Sequence, residues 1–345
     1  MTVSEISIRV EGSAGRITLN RPQVLNALSY TQIQKMIPAL RAWATDPAVK
    51  LVVIDAVGGK SFCSGGDIQA IYRDGKTRPQ DGRTFWREEY AMNAFIRHYP
   101  KPYVALMDGF VIGGGIGISA LGSHRIVTEK SMVLMPETSI GFMPDVGGTR
   151  ILADAPGYTG FYLGITSMRM NAADAIYAGF ADSFVPLAAL PELSAALNDG
   201  DVKVIAQFAQ SPHHSKLAEH RTLIDQHFSK ASLLEILASL EAGSSDWEME
   251  TLAALRRVSP FAACATFAAL TQLRKTRDIE SALTLEFRYA YRSLEGTDFY
   301  EGIRAAVIDK DKSPKWNPAR IEDVDPASVA AVLSTLGEQE WRNIL

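Results

Sequence analysis

The chain has little cysteine: Cys63 and Cys264 are the only two in 345 residues. That leaves no disulfide framework and no cysteine-based metal cluster, and it fits a reduced, cytoplasmic setting. It also lacks an excess of either charge. A net charge of −4 argues against a broad nucleic-acid-binding surface. No apolar run is long enough to span a bilayer, so no membrane is expected as a partner. The first ten residues show neither a charged start followed by a long apolar run nor an arginine-rich stretch, so neither a signal nor a transit peptide is expected. No HExxH or paired-cysteine pattern occurs, and no metal is expected. A Gly-x-Ser-x-Gly nucleophile elbow is missing as well. Gly59-Lys60-Ser61 ends like a phosphate-binding loop, but the glycine needed five residues earlier is Ile54. Gly115-x-Gly117-x-x-Ala120 matches a dinucleotide fingerprint only loosely, since it does not follow a strand at once.

What is present describes a globular protein, with 47% hydrophobic and 21% charged residues. The length predicts one large domain plus an appendage. Ile6–Val10 and Gly15–Leu19 alternate as a hairpin does. A helix capped by Ser29 or Thr31 follows, and Leu51–Asp55 reads as a strand buried on both faces. A helix is predicted over 83–98 after a polar loop at 75–82. Beyond Arg150 the pattern becomes helical and stays so, with helices expected over 244–260, 261–275 and 278–295 among others, ending in a charged segment over 300–320.

Three stretches can carry chemistry. Gly65-Gly66-Asp67 and Gly113-Gly-Gly115 are glycine turns at helix starts, which uncover backbone N–H groups and aim them at an anion or a polarised carbonyl. Asp67 is placed to cap the helix that begins at Ile68. Met135-Pro-Glu-Thr-Ser-Ile-Gly-Phe-Met-Pro-Asp-Val-Gly-Gly148 sets Glu137 and Asp145 in an apolar loop stiffened by prolines, with Asp145 near the positive end of the next helix. Two N–H donors converging on one carbonyl oxygen would form an oxyanion hole, each contributing roughly 2.7–4 kcal/mol to lowering the barrier. Glu137 would then act as nucleophile or general base, and Asp145 would hold a substrate hydroxyl or tune Glu137. Cys63 and Ser64 have no histidine near them in sequence and are poor nucleophile candidates. Glu88 and Glu89 are equally well explained as a solvated helix face, and His98 and His124 as structural residues.

These residues resemble the enoyl-CoA hydratase/isomerase (crotonase) superfamily. The matching segments are Asn20-Arg-Pro-x-x-x-Asn-Ala, Phe62-Cys-Ser-Gly-Gly-Asp-Ile, Lys101-Pro-Tyr-Val-Ala-Leu-Met-Asp-Gly, Gly113-Gly-Gly, Met135-Pro-Glu-Thr-Ser-Ile-Gly and Pro144-Asp-Val-Gly-Gly-Thr. The resemblance implies an α/β fold of the ClpP/crotonase type, a spiral of ββα units over residues 1–185 that binds a CoA thioester. A helical region over 186–345 would complete the acyl pocket. The oxyanion hole would come from the N–H groups of Gly66 and Gly114. Leu25, Ala27, Gly65, Asp67 and Ile68 would lie along the CoA, and Lys310, Lys312 and Lys315 near its phosphates. CoA belongs to the substrate and product, so no separate cofactor is implied. The partner is an acyl-CoA thioester, and a homo-oligomer is left open.

Hydratases of the superfamily carry a second catalytic glutamate two residues after the glycine triplet, where this chain has Gly117. Glu137, Asp145, Arg87-Glu-Glu-Tyr with its Glu89, and the Asp298–Trp316 segment instead resemble a thioester-hydrolysing branch. The implied activity is hydrolysis of 3-hydroxyisobutyryl-CoA, with Glu137 and Asp145 catalytic and Glu89 shaping the acyl site. The competing readings are an enoyl-CoA hydratase or isomerase, a non-catalytic CoA-ester-binding protein, and, last, a dinucleotide-dependent oxidoreductase.

Overall fold

Two sheets are built by strands that alternate between them. The computed structural model describes residues 4–75, 77–296 and 298–345. The larger sheet has the order β1 (Ile6–Glu11), β2 (Ala14–Leu19), β3 (Leu51–Ala56), β5 (Tyr103–Met107), β7 (His124–Val127), β9 (Ser183–Phe184). Only the β1–β2 hairpin is antiparallel, and the other neighbours run parallel. The smaller sheet is the parallel set β4 (Ser61–Cys63), β6 (Phe110–Ile112), β8 (Met132–Leu134). Each turn of the chain therefore lays one strand in each sheet before returning, which is the expected ββα spiral.

The continuous apolar run of β3 is explained by its two covered faces. Leu51 and Val53 pack with Val104, Leu106 and Ile126 against Leu193, Leu197 and Ile205. Val52 and Ile54 point the other way, into the main core with Met36, Leu40 and Met92. Helix α1 (Tyr30–Thr45) starts in a capping box: Ser29 Oγ accepts the Gln32 N–H at 3.2 Å and Gln32 Oε1 accepts the Ser29 N–H at 2.8 Å. Helix α2 (Ile68–Gly75) follows β4. Asp67 caps it as expected, its Oδ1 accepting the Ala70 N–H at 3.4 Å, while its Oδ2 pairs with Arg21 at 3.0 Å.

Helix α3 (Pro79–Arg97) begins four residues earlier than expected, since Pro79 suits a first helical turn and absorbs part of the apparent loop. Helix α4 (Gly114–Gly117) is a single turn after β6. Helix α5 (Gly148–Asp154) closes the segment that carries the two acids. After β9 the described residues form helices and turns. They include Pro260–Leu273 and Ile279–Ser293, close to the expected 261–275 and 278–295, and an unexpected helical stretch from Asp298 through Ile308. Among the described residues no helix is long and apolar enough to cross a membrane.

Candidate active site

The site forms where the ends of the smaller sheet meet α3. β4 and β6 lie side by side, so the glycine turns that follow them are brought together. Gly65 takes φ +103° and Gly113 takes φ +48° with ψ −117°, conformations that need glycine. A Cβ on Gly114 would lie 3.0 Å from the Gly66 backbone N. The Gly66 and Gly114 N–H groups thus sit next to one another, and among the described residues neither has a hydrogen-bond partner. This is the arrangement an oxyanion hole needs.

Glu137 opens a short 3-10 turn, Glu137–Ile140, directly after β8. Its Oε1 would be 2.7 Å from a Cβ on Gly113, so the acid sits against the glycine turn, and no side chain could stand between them. Its Oε2 is buried, with no hydrogen-bond partner among the described residues. Asp145 faces the same cleft from the loop before α5, and its Oδ2 accepts the Tyr90 O–H at 2.8 Å. Glu89 arrives from α3, one residue before Tyr90, and its Oε1 would stand 3.1 Å from a Cβ on Gly114. Relative exposures of 2% for Glu89, 5% for Glu137 and 7% for Asp145 place three nearly fully buried carboxyls around one cleft.

Such crowding disfavours ionisation. Burial, then the neighbouring Asp145 charge, push Glu89 and Glu137 well above the usual carboxylate range. Asp145 is raised to about 7 by burial, opposed by the Tyr90 hydrogen bond. The three carboxyls therefore influence one another's ionisation, each charge opposing the next.

The cleft encloses about 150 Å³ and is also lined by Ser64, Gly65, Ile68, Ile112, Pro136 and Val146. Its apolar wall joins α3 to the C-terminal half. Trp86 stacks on Phe142 with centroids 5.5 Å apart, and Phe142 meets Phe299 at 4.7 Å. Val146 is held at φ +54°, a conformation a β-branched residue rarely adopts, next to the reactive groups.

Of the residues expected along a CoA, Gly65 and Ile68 line this cleft. Leu25 and Ala27 lie just outside it, tied on through the Ser64 N–H to Leu25 O bond at 3.1 Å and the Leu28 N–H to Gly65 O bond at 2.8 Å. Asp67 instead lines a neighbouring acidic cleft with Asp74 and Asp81. Lys312 lines a third cleft of about 620 Å³ with Arg169 and Arg257, which shares Pro136 with the cleft of the three acids. Lys310 and Lys315 are not among the residues lining it. Cys63 is fully buried, and burial pushes its thiol up to about 12, so it is no nucleophile. His98 pairs with Glu280 at the surface and His124 with Ser123, both away from the cleft.

Sequence reasoning missed four residues around the acids: Tyr90, Asn93, Val146 and Glu286. A signal existed for most of them. Glu89 and Asn93 continue the apolar stripe of Phe85 at four-residue steps, and Tyr90 that of Trp86, so all three face inward. Glu286 lies on the buried stripe of Leu283, Phe287 and Ala290. It caps the start of α5, accepting the Gly147 N–H at 2.8 Å and the Thr149 N–H at 3.1 Å, while Asp145 lies near that same helix end as expected.

The family model for enoyl-CoA hydratase/isomerase matches residues 14–333. A Gallus gallus protein named 3-hydroxyisobutyryl-CoA hydrolase, mitochondrial, is 39% identical over 99% of this chain and 91% of its own. The Homo sapiens protein of that name is 37% identical over 98% and 90%. Among solved structures, one described as an enoyl-CoA hydratase from Rhodobacter sphaeroides superposes with a TM-score of 0.95 at 48% identity, covering 98% of this chain and all of that one. A carnitinyl-CoA dehydratase from Mycobacterium thermoresistibile also gives 0.95, at 38% identity over 99% of each chain. The alternating-strand spiral, the paired glycine turns and these matches along almost the whole length agree: the chain belongs to the enoyl-CoA hydratase/isomerase family.

Proposed function

We propose that this protein is an acyl-CoA thioester hydrolase that cleaves 3-hydroxyisobutyryl-CoA to 3-hydroxyisobutyrate and CoA, a step of valine breakdown, and that 3-hydroxypropionyl-CoA is a second short substrate. The curated relatives carry the first activity in their names. The observation that carries the reading here is the packing at Gly117. A Cβ there would come 2.7 Å from Asn93 Nδ2 and 2.7 Å from Val146 Cβ. The place of a second hydratase acid is filled, while Glu137, Asp145 and the two glycine N–H groups are kept.

In this reading the thioester oxygen sits between the Gly66 and Gly114 N–H groups, which stabilise the negative charge that develops as the carbonyl carbon is attacked. Glu137 serves in one of two ways. As a base it takes a proton from water, which adds to the carbon, and the C–S bond breaks to release CoA thiolate. As a nucleophile it adds itself, expels the thiolate, and is freed by water in a second step. Asp145 and Glu89 orient the 3-hydroxyl and the acid. Single-turnover hydrolysis in ¹⁸O-water separates the two routes. Label entering Glu137 requires the nucleophile, with water attacking the glutamyl carbon of the mixed anhydride, whereas label only in the product acid is given by the base or by water attacking the acyl carbon, which trapping the anhydride with hydroxylamine tells apart.

The basic cleft at Arg169, Arg257 and Lys312 adjoins the acyl cleft at Pro136, and its charge suits the phosphates of CoA. Leu25, Ala27, Gly65, Asp67 and Ile68 border the route on the other side. Arg304 ties Asp309 and Asp311 at 2.7 and 2.6 Å, fixing the loop in which Lys310 and Lys312 both take positive φ. The two unpaired cysteines support a reduced compartment, here proposed to be the cytoplasm, although the vertebrate relatives are named as mitochondrial.

The structure described as an enoyl-CoA hydratase favours a second reading, hydration of an enoyl-CoA. The deciding experiment measures free thiol from 3-hydroxyisobutyryl-CoA beside hydration of crotonyl-CoA. Thiol release without hydration supports the hydrolase, and hydration without thiol release overturns it.

A further inference from the structure

The C-terminal helix Ile279–Ser293 touches both acid-bearing loops. Tyr289 donates its O–H to Gly141 O at 3.2 Å, at the end of the turn that starts with Glu137. Three residues earlier, Glu286 accepts three hydrogen bonds from the loop after Asp145: the Gly147 and Thr149 N–H groups at 2.8 and 3.1 Å, and the Thr149 hydroxyl. Glu286 is 1% exposed and does not line the acyl cleft.

The loop it grips is under local strain. Val146 and Gly147 take φ +54° and +80° in succession, and the Gly148 N–H folds back to Asp145 O at 2.7 Å. A β-branched residue in that region persists only where its surroundings over-determine it. No side chain of the loop caps α5 from its own end. A buried carboxyl group accepting three bonds is a directional clamp, and a buried acid is retained at a cost unless its bonds are made.

We infer that Glu286 is a positioning residue for Asp145: it locks the Val146–Gly147 turn so that the Asp145 carboxyl meets Tyr90 and the reacting acyl group. The C-terminal region then contributes to catalysis through a residue that does not itself line the cleft. This rests on the thioesterase reading above for its activity readout alone. The buried acids facing this region from other elements are Glu89 on α3, Glu137 after β8 and Asp145 itself. Burial chiefly raises Glu286 to about 8, against the pull of its three donors.

The test compares Glu286→Leu, Glu286→Gln and Thr149→Val with wild type. Glu286→Leu is expected to lower kcat for CoA release about 30-fold or more with KM within about twofold, because the loop is misplaced and the binding surface is not. Glu286→Gln, which keeps one acceptor, should recover part of the loss, and Thr149→Val, which removes one donor, should lose about three- to tenfold. Where Glu286→Leu does not fold, Thr149→Val gives the same reading. Amide exchange at Gly147 and Thr149 supplies a readout independent of turnover and should rise at least tenfold in Glu286→Leu or, failing that variant, measurably in Thr149→Val. Unchanged kcat and unchanged exchange in a folded variant overturn the inference. Faster exchange at these amides in a protein whose wild type releases no thiol overturns the proposed function and leaves the clamp standing.

Discussion

Tyr90 donates its buried O–H to Asp145 Oδ2 at 2.8 Å, and this bond sets Asp145 apart from the other acids of the cleft. The donor favours the ionised carboxylate, so it holds Asp145 at about 7 against a burial that would push it higher. In Tyr90→Phe the opposing influence is gone and Asp145 should ionise at higher pH. The acid limb of the kcat/KM profile should move up by about half a unit or more, and kcat/KM for CoA release at pH 7 should fall about twofold or more and recover towards pH 9. A limb that stays in place would mean that Asp145 ionisation does not govern the rate.

Replacing the acids themselves should be more severe. Glu137→Gln keeps the shape beside Gly113 but can neither take a proton nor attack, and Asp145→Asn removes the charge that the Tyr90 bond stabilises. Each should lower kcat by about 10²–10⁴-fold with the protein still folded. Stopped-time measurement of free thiol checks this, and retention of even a third of the wild-type rate by Glu137→Gln would remove Glu137 from the chemistry.

Glu89 should trade stability for function. Its folded carboxyl titrates above the ordinary range because it is buried and faces Asp145. Between the ordinary value and the raised one the folded chain holds a proton that the unfolded chain releases, so stability falls as pH rises through that window. Glu89→Gln has no such charge to bury. Its melting temperature should match wild type at pH 4–5 and exceed it by roughly 2 °C or more at pH 8, while CoA release is impaired. An equal difference at both pH values would show that Glu89 is not buried in its neutral form.

The legible part of this molecule was the part written in short local patterns. The turns at Gly65 and Gly113 need glycine for backbone reasons, and the proline-bounded loop needs no distant partner to place Glu137 and Asp145 in apolar surroundings. The match between β4 and β6, which joins the two glycine turns, lies in the spiral implied by the family resemblance. What stayed hidden depends on contacts between distant segments. Glu89 and Glu88 look alike until α3 is given a buried face, and the helix starts earlier than its polar first turn suggests. Glu286 reads as one acid among the charges of 278–295, yet it caps a helix 139 positions away. The helix at 298–308 was obscured by its charge, because its Arg304 is neutralised by Glu301, Asp309 and Asp311 rather than by solvent alone.

Gly117 gives the sharpest test of how the family's chemistry has diverged here. A side chain at this position must enter space held by the Asn93 amide and the Val146 side chain, each 2.7 Å from where a Cβ would stand. Restoring a glutamate should therefore not restore a hydratase. Gly117→Glu is expected to push Val146, and with it Asp145, out of place, so that thiol release falls more than 100-fold and no crotonyl-CoA is hydrated. Gly117→Ala isolates the packing cost, which for an overfilled core site is about 1–3 kcal/mol. Among the described residues Asn93 makes no hydrogen bond through either amide atom, so Asn93→Ala relieves the crowding on one side at little loss. In a double-mutant cycle the destabilisation caused by Gly117→Ala should shrink when Asn93 is already alanine, giving a coupling of about 0.5 kcal/mol or more by urea unfolding. Strict additivity would show that Asn93 does not close this position, and a Gly117→Glu protein that hydrates crotonyl-CoA would show that a single side chain separates the two activities.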